Sequence, residues 1–270
     1  GNYGPNLGDM KETFETPYSN NEQLVNYAQM ATRYKYEYDL TDEQLDRYLG
    51  AIAINQRRNS ILSGTGVLKK PLDYEGYLNS PMISTPLKRD DCCVLSDGTC
   101  AWIMTSAERA RDFPHKPVYV SGMGYGCTQM GRGDGFTQKA GGYFHKPHEA
   151  TSLDQALQMA GITRKDLDFA EIYDAFTIQL LMFLESLGFC EKGEGGSFAE
   201  SGAISLEGSL PVNTHGGYLS HSYINGASHV FEAIKQLRGT AGGCQVKDAR
   251  IGMISIGGHR ENYVTIFRTD

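Results

Sequence analysis

No stretch of the chain approaches about 18 uninterrupted apolar residues, the length a membrane-spanning helix needs. Nothing near its start joins a basic segment to a short apolar run, so no secretory signal is visible in these residues. The reading is therefore of a cytoplasmic protein with no membrane partner. There is no long run of Lys and Arg either: 25 basic against 32 acidic residues give a net charge of −7. That balance disfavours a nucleic-acid reader. Cysteines are sparse, and the six (Cys92, Cys93, Cys100, Cys127, Cys190, Cys244) include no C-x-x-C pair. A disulfide framework or a zinc site in this chain is disfavoured, and reduced, buried thiols are expected. The chain opens Gly1-Asn2-Tyr3-Gly4-Pro5 without an initiator Met, which predicts a portion upstream of Gly1.

What is present suffices for one large domain or two modest ones: 270 residues, 40% of them hydrophobic. Residues 1 to about 40 carry six tyrosines without a sustained apolar period and predict an excursion lying on a larger body. Thr41 and Gln44 form a capping-box signature, followed by Leu45, Tyr48, Leu49 and Ile52 at helical spacing. Arg57 and Arg58 are expected in the last turn of that helix. From 60 to 89 a loop with one or two turns is expected. Strands are predicted over 93–104, interrupted at Ser96-Asp97-Gly98, and over 117–120. Residues 121–147 hold eight glycines and predict a linker at a domain boundary.

The second half alternates helix and strand, which implies an α/β layer structure. A helix carrying Leu153, Ala156, Leu157 and Ala160 ends at Gly161, and a strand is expected over 167–173. Asp174 is expected to cap a helix over 175–187 closed by Gly188. Another helix, about 226–237, shows Ala227, Val230, Phe231 and Ile234 on one face. Strands over 250–256 and 263–267 close the chain, and an antiparallel pairing between them is expected.

Three motifs carry less than they first suggest. Gly122-x-Gly124-x-Gly126 follows a strand, but Cys127 stands where a dinucleotide fingerprint needs glycine, and no amphipathic helix follows. His145 and His148 lack a third ligand, so a solvated loop is expected. Cys92 and Cys93 have only Lys88 and Arg89 nearby to activate them and read as buried strand residues.

The segment from Asn213 to Gly226 (NTHGGYLSHSYING) crowds two imidazoles, three glycines and two phenols at the entry to a helix. Such backbone crowding ordinarily serves a ligand. With Tyr173-Asp174-Ala175-Phe176 and Ser255-Ile256-Gly257-Gly258, it resembles the C-terminal half of the thiolase superfamily, in the sterol carrier protein X branch. There the corresponding stretches read Asn-Glu-Ala-Phe, Gly-Gly followed by Gly-His-Pro, and Cys-x-Gly-Gly. Pro86-Leu87, Asp91-Cys92-Cys93, Ser96-Asp97-Gly98 and Ser106 to Ala110 extend the resemblance over nearly the whole chain.

The resemblance implies a thiolase-like layered α-β-α-β-α fold with its N-terminal portion missing. Residues 1–120 would be the remainder of the N-terminal thiolase domain, including an excursion over 1–90, and 148–270 the C-terminal domain. Thiolases work on CoA thioesters with two cysteines, an Asn and a His. Here Tyr173 stands at the Asn position, Tyr223 at the His position and Ser255 at the acid/base Cys position. A serine hydroxyl is far less acidic than a thiol and does not replace it in proton transfer.

Two phenols instead suit retro-aldol cleavage of a β-hydroxyacyl-CoA. Tyr223 is expected as base at the hydroxyl and Tyr173 as acid on the enolate side, with His215, His221, His259, Asn213 and Ser255 as possible supports. This is similar to the thiolase-like aldolases of steroid side-chain degradation, which split a 17-hydroxy steroid acyl-CoA into a 17-ketosteroid and propionyl-CoA. The resemblance implies no cofactor in this chain, CoA being part of the substrate. It also implies a homodimer core with a small OB-fold and zinc-ribbon partner that would hold any zinc. The alternatives are a thiolase or acyltransferase with its nucleophilic cysteine upstream, and a non-catalytic lipid-binding or scaffold subunit.

Overall fold

The computed structural model describes residues 23–127, 148–257 and 261–269. Its first helix, α1 (Gln23–Glu37), lies where an excursion was expected, and it is part of the core: Tyr27, Ala28, Met30, Ala31 and Tyr34 are all buried. The spacing is helical once the tyrosines count as apolar members, because a phenol ring buries as readily as Phe when its hydroxyl finds a partner. Helix α2 (Asp42–Ser63) begins with the expected capping box at Thr41 and Gln44. It runs past Arg57 and Arg58 to Gly64, whose left-handed backbone closes it. Arg57 thus points inward from mid-helix, where its guanidinium bonds Asp90 at 2.8 Å, Lys70 O at 3.1 Å and Ser220 Oγ at 3.2 Å. One buried cation ties three separate segments to α2.

Between 60 and 93 the chain forms a short helix, Tyr74–Leu78, and a small hairpin of β1 (Met82–Ser84) and β2 (Leu87–Lys88). The stretch 93–104 forms no strand, and Leu95 and Ile103 are 93% and 87% exposed. A strand requires a neighbouring backbone to pair with, and none of the described strands runs beside this segment.

The expected linker is corrected in its first part: β3 (Tyr119–Cys127) is a nine-residue strand paired antiparallel along its length with β6 (Glu261–Arg268). Its glycines serve close packing rather than flexibility. A Cβ on Gly122 would lie 2.1 Å from Ala156 O, and one on Gly124 1.8 Å from Ser152 O. Helix α3 (His148–Ala160) therefore lies directly on the strand. Residues 128–147, and with them the expected His145 loop, lie outside the described residues.

The main sheet has the order β3-β6-β5-β4, where β4 is Phe169–Ile172 and β5 is Ile251–Gly257. β5 pairs antiparallel with β6, as expected, and parallel with β4. Side chains alternate across it. Met253, Val264 and Ile266 join the large core shared with α1, α2 and the wholly buried helix α4 (Thr177–Ser186). Phe169, Ile254 and Phe267 form a second core with Ala233 and Leu237 of α5 (Ala227–Arg238). Helices thus cover both faces, an α/β layered arrangement.

Two expectations fail locally. α4 begins at Thr177 with Phe176 at its cap position, and Asp174 accepts instead from the Tyr218 backbone N–H at 2.8 Å. In α5 the buried face is polar: Ser228, His229, Glu232 and Gln236 are buried with Ala233 and Leu237, while Phe231 is 49% exposed. All six cysteines are unpaired, but only Cys244 is buried and Cys127 is exposed. Burial raises the thiols of Cys92 to about 12 and Cys93 to about 11. Among the described residues no helix is long and apolar enough to cross a membrane.

Candidate active site

Tyr173 follows the last residue of β4, at the carboxyl end of the parallel pair β4 and β5, where open α/β sheets place their ligands. Its backbone N–H donates to Ser255 O at 2.9 Å. One residue earlier, Asn213 grips Ile172 twice: its Oδ1 accepts from Ile172 N–H at 2.6 Å and its Nδ2 donates to Ile172 O at 2.8 Å. Asn213 holds φ +49°, a left-handed value that Asn tolerates better than most residues.

The chain then reverses at Gly216 (φ +105°) and Gly217 (φ +57°). A Cβ on Gly217 would meet Asp174 Oδ2 at 2.0 Å, so only glycine lets the turn pass over that carboxylate. The wide helical turn Gly217–His221 follows, and then Tyr223, whose N–H donates to Ser96 Oγ at 3.3 Å. These two segments bring the hydroxyls of Tyr173 and Tyr223 to 2.7 Å, a direct hydrogen bond between half-buried side chains. The Tyr218 ring lies against both, with centroids 5.1 Å from Tyr173 and 4.7 Å from Tyr223. Burial, then the bond to Tyr223, pushes the Tyr173 phenol well above its ordinary range, so it stays protonated at neutral pH.

The other expected residues fall in different places. His215 is buried with Nδ1 3.0 Å from Glu171 Oε2, and burial lowers it to about 3. His221 reaches Thr65 Oγ1 at 3.0 Å and Ser222 Oγ at 2.8 Å, and is also lowered to about 3 by burial. Both are neutral imidazoles, and neither bonds the phenols. The Ser255 hydroxyl donates to Asn262 Oδ1 at 3.0 Å. His259 lies outside the described residues. Among the described residues no three His, Cys, Asp or Glu side chains are grouped to hold a metal.

Sequence reading missed Asp174, Glu171, His229, Glu232 and Tyr218. Thr214 Oγ1 lies 2.8 Å from Glu171 Oε1 and 3.1 Å from Glu232 Oε1, while Gln236 Nε2 donates to Thr214 Oγ1 and Glu232 Oε1. The available signal was the polar series His229, Glu232, Gln236 at helical spacing, hidden behind the more obvious apolar one.

A cavity of about 900 Å³ has a wall that includes Arg57, Lys69, Lys70, Arg89, Asp90 and Phe176, with neither phenol in it. It shares backbone with the tyrosine segments: Cys93 N–H bonds Ala175 O at 2.9 Å and Val94 N–H bonds Tyr218 O at 3.0 Å. Tyr27 stacks on Phe176 at 4.2 Å. The wall is mostly apolar, and Asp90 pairs with two of its cations, Arg57 at 2.8 Å and Arg89 at 3.5 Å.

Residues 144–268 match the family described as thiolase C-terminal domain-like. The chain is 35% identical over 237 residues to the 17-hydroxy-3-oxo-4-pregnene-20-carboxyl-CoA lyase of Mycobacterium tuberculosis, covering 85% of this chain and 58% of that protein. It is 34% identical over 243 residues to an acetyl-CoA acetyltransferase of Methanothermobacter thermautotrophicus, covering 86% and 59%. Among solved structures, an Ltp2-ChsH2(DUF35) aldolase superposes with a TM-score of 0.87 at 28% identity, covering 100% of this chain and 69% of that one. The chain therefore spans a little over half the length of these curated relatives.

Proposed function

We propose that this chain, which belongs to the thiolase superfamily, is an acyl-CoA retro-aldolase that cleaves the Cα–Cβ bond of a β-hydroxyacyl-CoA. The observation that carries the proposal is the 2.7 Å contact between the Tyr173 and Tyr223 hydroxyls. Each of the two relatives above matches over a similar length at similar identity, one named a lyase and one an acetyltransferase. Overall likeness does not choose between them; the phenol pair favours the lyase.

The step balances without a covalent intermediate. Tyr223 takes the proton of the substrate's β-hydroxyl as its own passes along the short bond to Tyr173, which in the same motion releases its own proton toward the α-carbon. The Cα–Cβ bond breaks, the β-carbon becomes a carbonyl, and the electron pair collects as the thioester enolate. Tyr173, held protonated, delivers its proton to the α-carbon. Neither tyrosine carries net charge at the start or the end. Positioned acid/base groups contribute about 10² to 10⁴ in rate.

The substrate we propose is a 17-hydroxy steroid side-chain CoA thioester, giving a 17-ketosteroid and propionyl-CoA; the lyase relative's name supports this choice. The CoA arm would enter this mostly apolar cavity, with Lys69 and Lys70 at its wall available to its phosphates. The structural relative's name further supports a small partner protein, for which we propose an OB-fold and zinc ribbon docked on a homodimeric core, with any zinc in the partner. No cofactor would then be needed in this chain.

The test is an assay of the purified full-length protein, supplied with such a partner, on a β-hydroxyacyl-CoA. Ketone and shortened acyl-CoA should form without added CoA, and Tyr173→Phe or Tyr223→Phe should abolish it in folded protein. CoA-dependent cleavage of a β-ketoacyl-CoA that survives both substitutions would replace this reading by acyl transfer. No turnover of either substrate would leave a scaffold role.

A further inference from the structure

His229 takes no part in the chemistry above, yet it is fully buried directly behind the phenols. Its Nε2 lies 2.9 Å from Ile172 O and 3.5 Å from Asp174 Oδ1, the backbone and side-chain groups on either side of Tyr173. A carbonyl only accepts, so Nε2 carries the hydrogen. Asp174 in turn accepts the Tyr218 N–H at 2.8 Å, and the Tyr218 hydroxyl accepts the N–H of Gly226. Gly226 is the cap residue of α5, the helix that bears His229, so the chain of contacts closes on itself around the site. The His229 ring also packs on Tyr218 at 4.4 Å, and Tyr218 is the ring that touches both Tyr173 and Tyr223.

Packing alone does not account for an imidazole here. His229 Nδ1 is buried without a hydrogen-bond partner among the described residues. A half-satisfied buried ring stabilises less than an apolar side chain of similar volume. What an apolar side chain lacks is the Nε2–H donor.

We infer that His229 is a positioning residue, whose Nε2–H holds the Ile172 carbonyl and the Asp174 carboxylate on either side of Tyr173 and, through Asp174 and Tyr218, sets the distance between the Tyr173 and Tyr223 hydroxyls. The inference rests on the retro-aldolase reading for its catalytic consequence, but its structural content stands apart from any activity. It predicts a division between two substitutions. His229→Leu fills the space and lacks the donor; His229→Gln supplies an N–H of similar reach.

The experiment reads the pair directly in full-length protein containing 3-fluorotyrosine, with the fluorine resonances of positions 173 and 223 identified by their loss in Tyr173→Phe and Tyr223→Phe. In H229L both resonances should move, and in H229Q both should return toward their original positions. In the cleavage assay kcat should fall about 10²-fold in H229L with KM within about twofold, the effect of misplacement rather than lost binding. H229Q should recover most of the rate. Should H229L fail to fold, Asp174→Asn tests the same contact and should displace both resonances. Unmoved resonances in H229L, or in D174N where that variant is used, overturn the inference, as does equal behaviour of Leu and Gln. Resonances that move as described in a protein with no cleavage activity would uphold the positioning role and defeat the lyase reading alone.

Discussion

The hydroxyl of Ser255 donates to Asn262 Oδ1 at 3.0 Å, and Asn262 Nδ2 donates onward to Ser152 Oγ at 2.8 Å. The residue at the expected acid/base position is thus part of a buried chain that ties β5 to β6 and α3. Ser255→Ala should leave the cleavage kcat within about threefold of the parent and lower stability by about 1 kcal/mol, the usual net worth of one hydrogen bond. Urea melts and the cleavage assay together check this. A kcat loss of more than about 10²-fold would return Ser255 to the chemistry.

Because the two phenols share one proton bond, they should behave as a unit. Tyr173→Phe and Tyr223→Phe should each cost about 10² to 10⁴ in kcat. The double variant should be no worse than the poorer single one. Strictly multiplicative losses in that cycle would show that the hydroxyls act independently.

Gly217→Ala should be among the more damaging small substitutions. It places a methyl 2.0 Å from Asp174 Oδ2 and forces a side chain into φ +57°. A loss of about 2 to 4 kcal/mol is expected, with activity falling in whatever protein remains folded. Thermal denaturation and the assay measure both; a fully active, equally stable G217A would contradict the turn geometry.

Glu171 supplies a pH prediction. Burial raises it to about 7, against the opposing pull of His229 and of the Thr214 hydroxyl and N–H. Since Thr214 has a single hydroxyl hydrogen for Glu171 and Glu232, a protonated carboxyl relieves the shortage. The folded protein therefore keeps a proton that the unfolded chain sheds near the ordinary Glu value of about 4.3. That stabilisation is complete below the unfolded value and is lost as pH rises through 7. His215 acts in the opposite direction: lowered to about 3 by burial, it contributes stability above its unfolded pKa that is lost as pH falls. Glu171→Gln isolates the first effect. Relative to E171Q, the parent should lose about 2 to 3 kcal/mol between pH 5 and pH 8 in urea titrations. A parallel pair of stability curves would disprove the assignment.

Much of this is legible in the sequence alone. The Thr41 capping box, the glycine stops at Gly161 and Gly188 and the closing antiparallel strands each rest on local chemistry that a short window contains. The tyrosine pair was legible for another reason: two residues fifty apart in sequence could be placed together only through resemblance to a known arrangement. What escaped were features with two local meanings. Glycines at 122 and 124 look like a linker, yet here they admit a helix backbone. Tyr27 and Tyr34 look polar in a helical period, yet they are core. Asp174 sits where a cap belongs, but its partners lie across the turn at Tyr218 and Leu219.

Helix α5, whose hidden side is polar, has a consequence for how the protein reaches its final form. An oily helix can slide along a core with little change in energy, because methyl groups are interchangeable. Advancing α5 by one residue would rotate it about 100° and strand Glu232, Gln236 and His229 against atoms that cannot answer them. Each such mismatch costs about 1 to 3 kcal/mol. The docking of this segment is therefore self-verifying: wrong seatings are disfavoured by their own unmet polarity, and the seating in which Glu232, Gln236 and His229 all find partners is the one that frames the site.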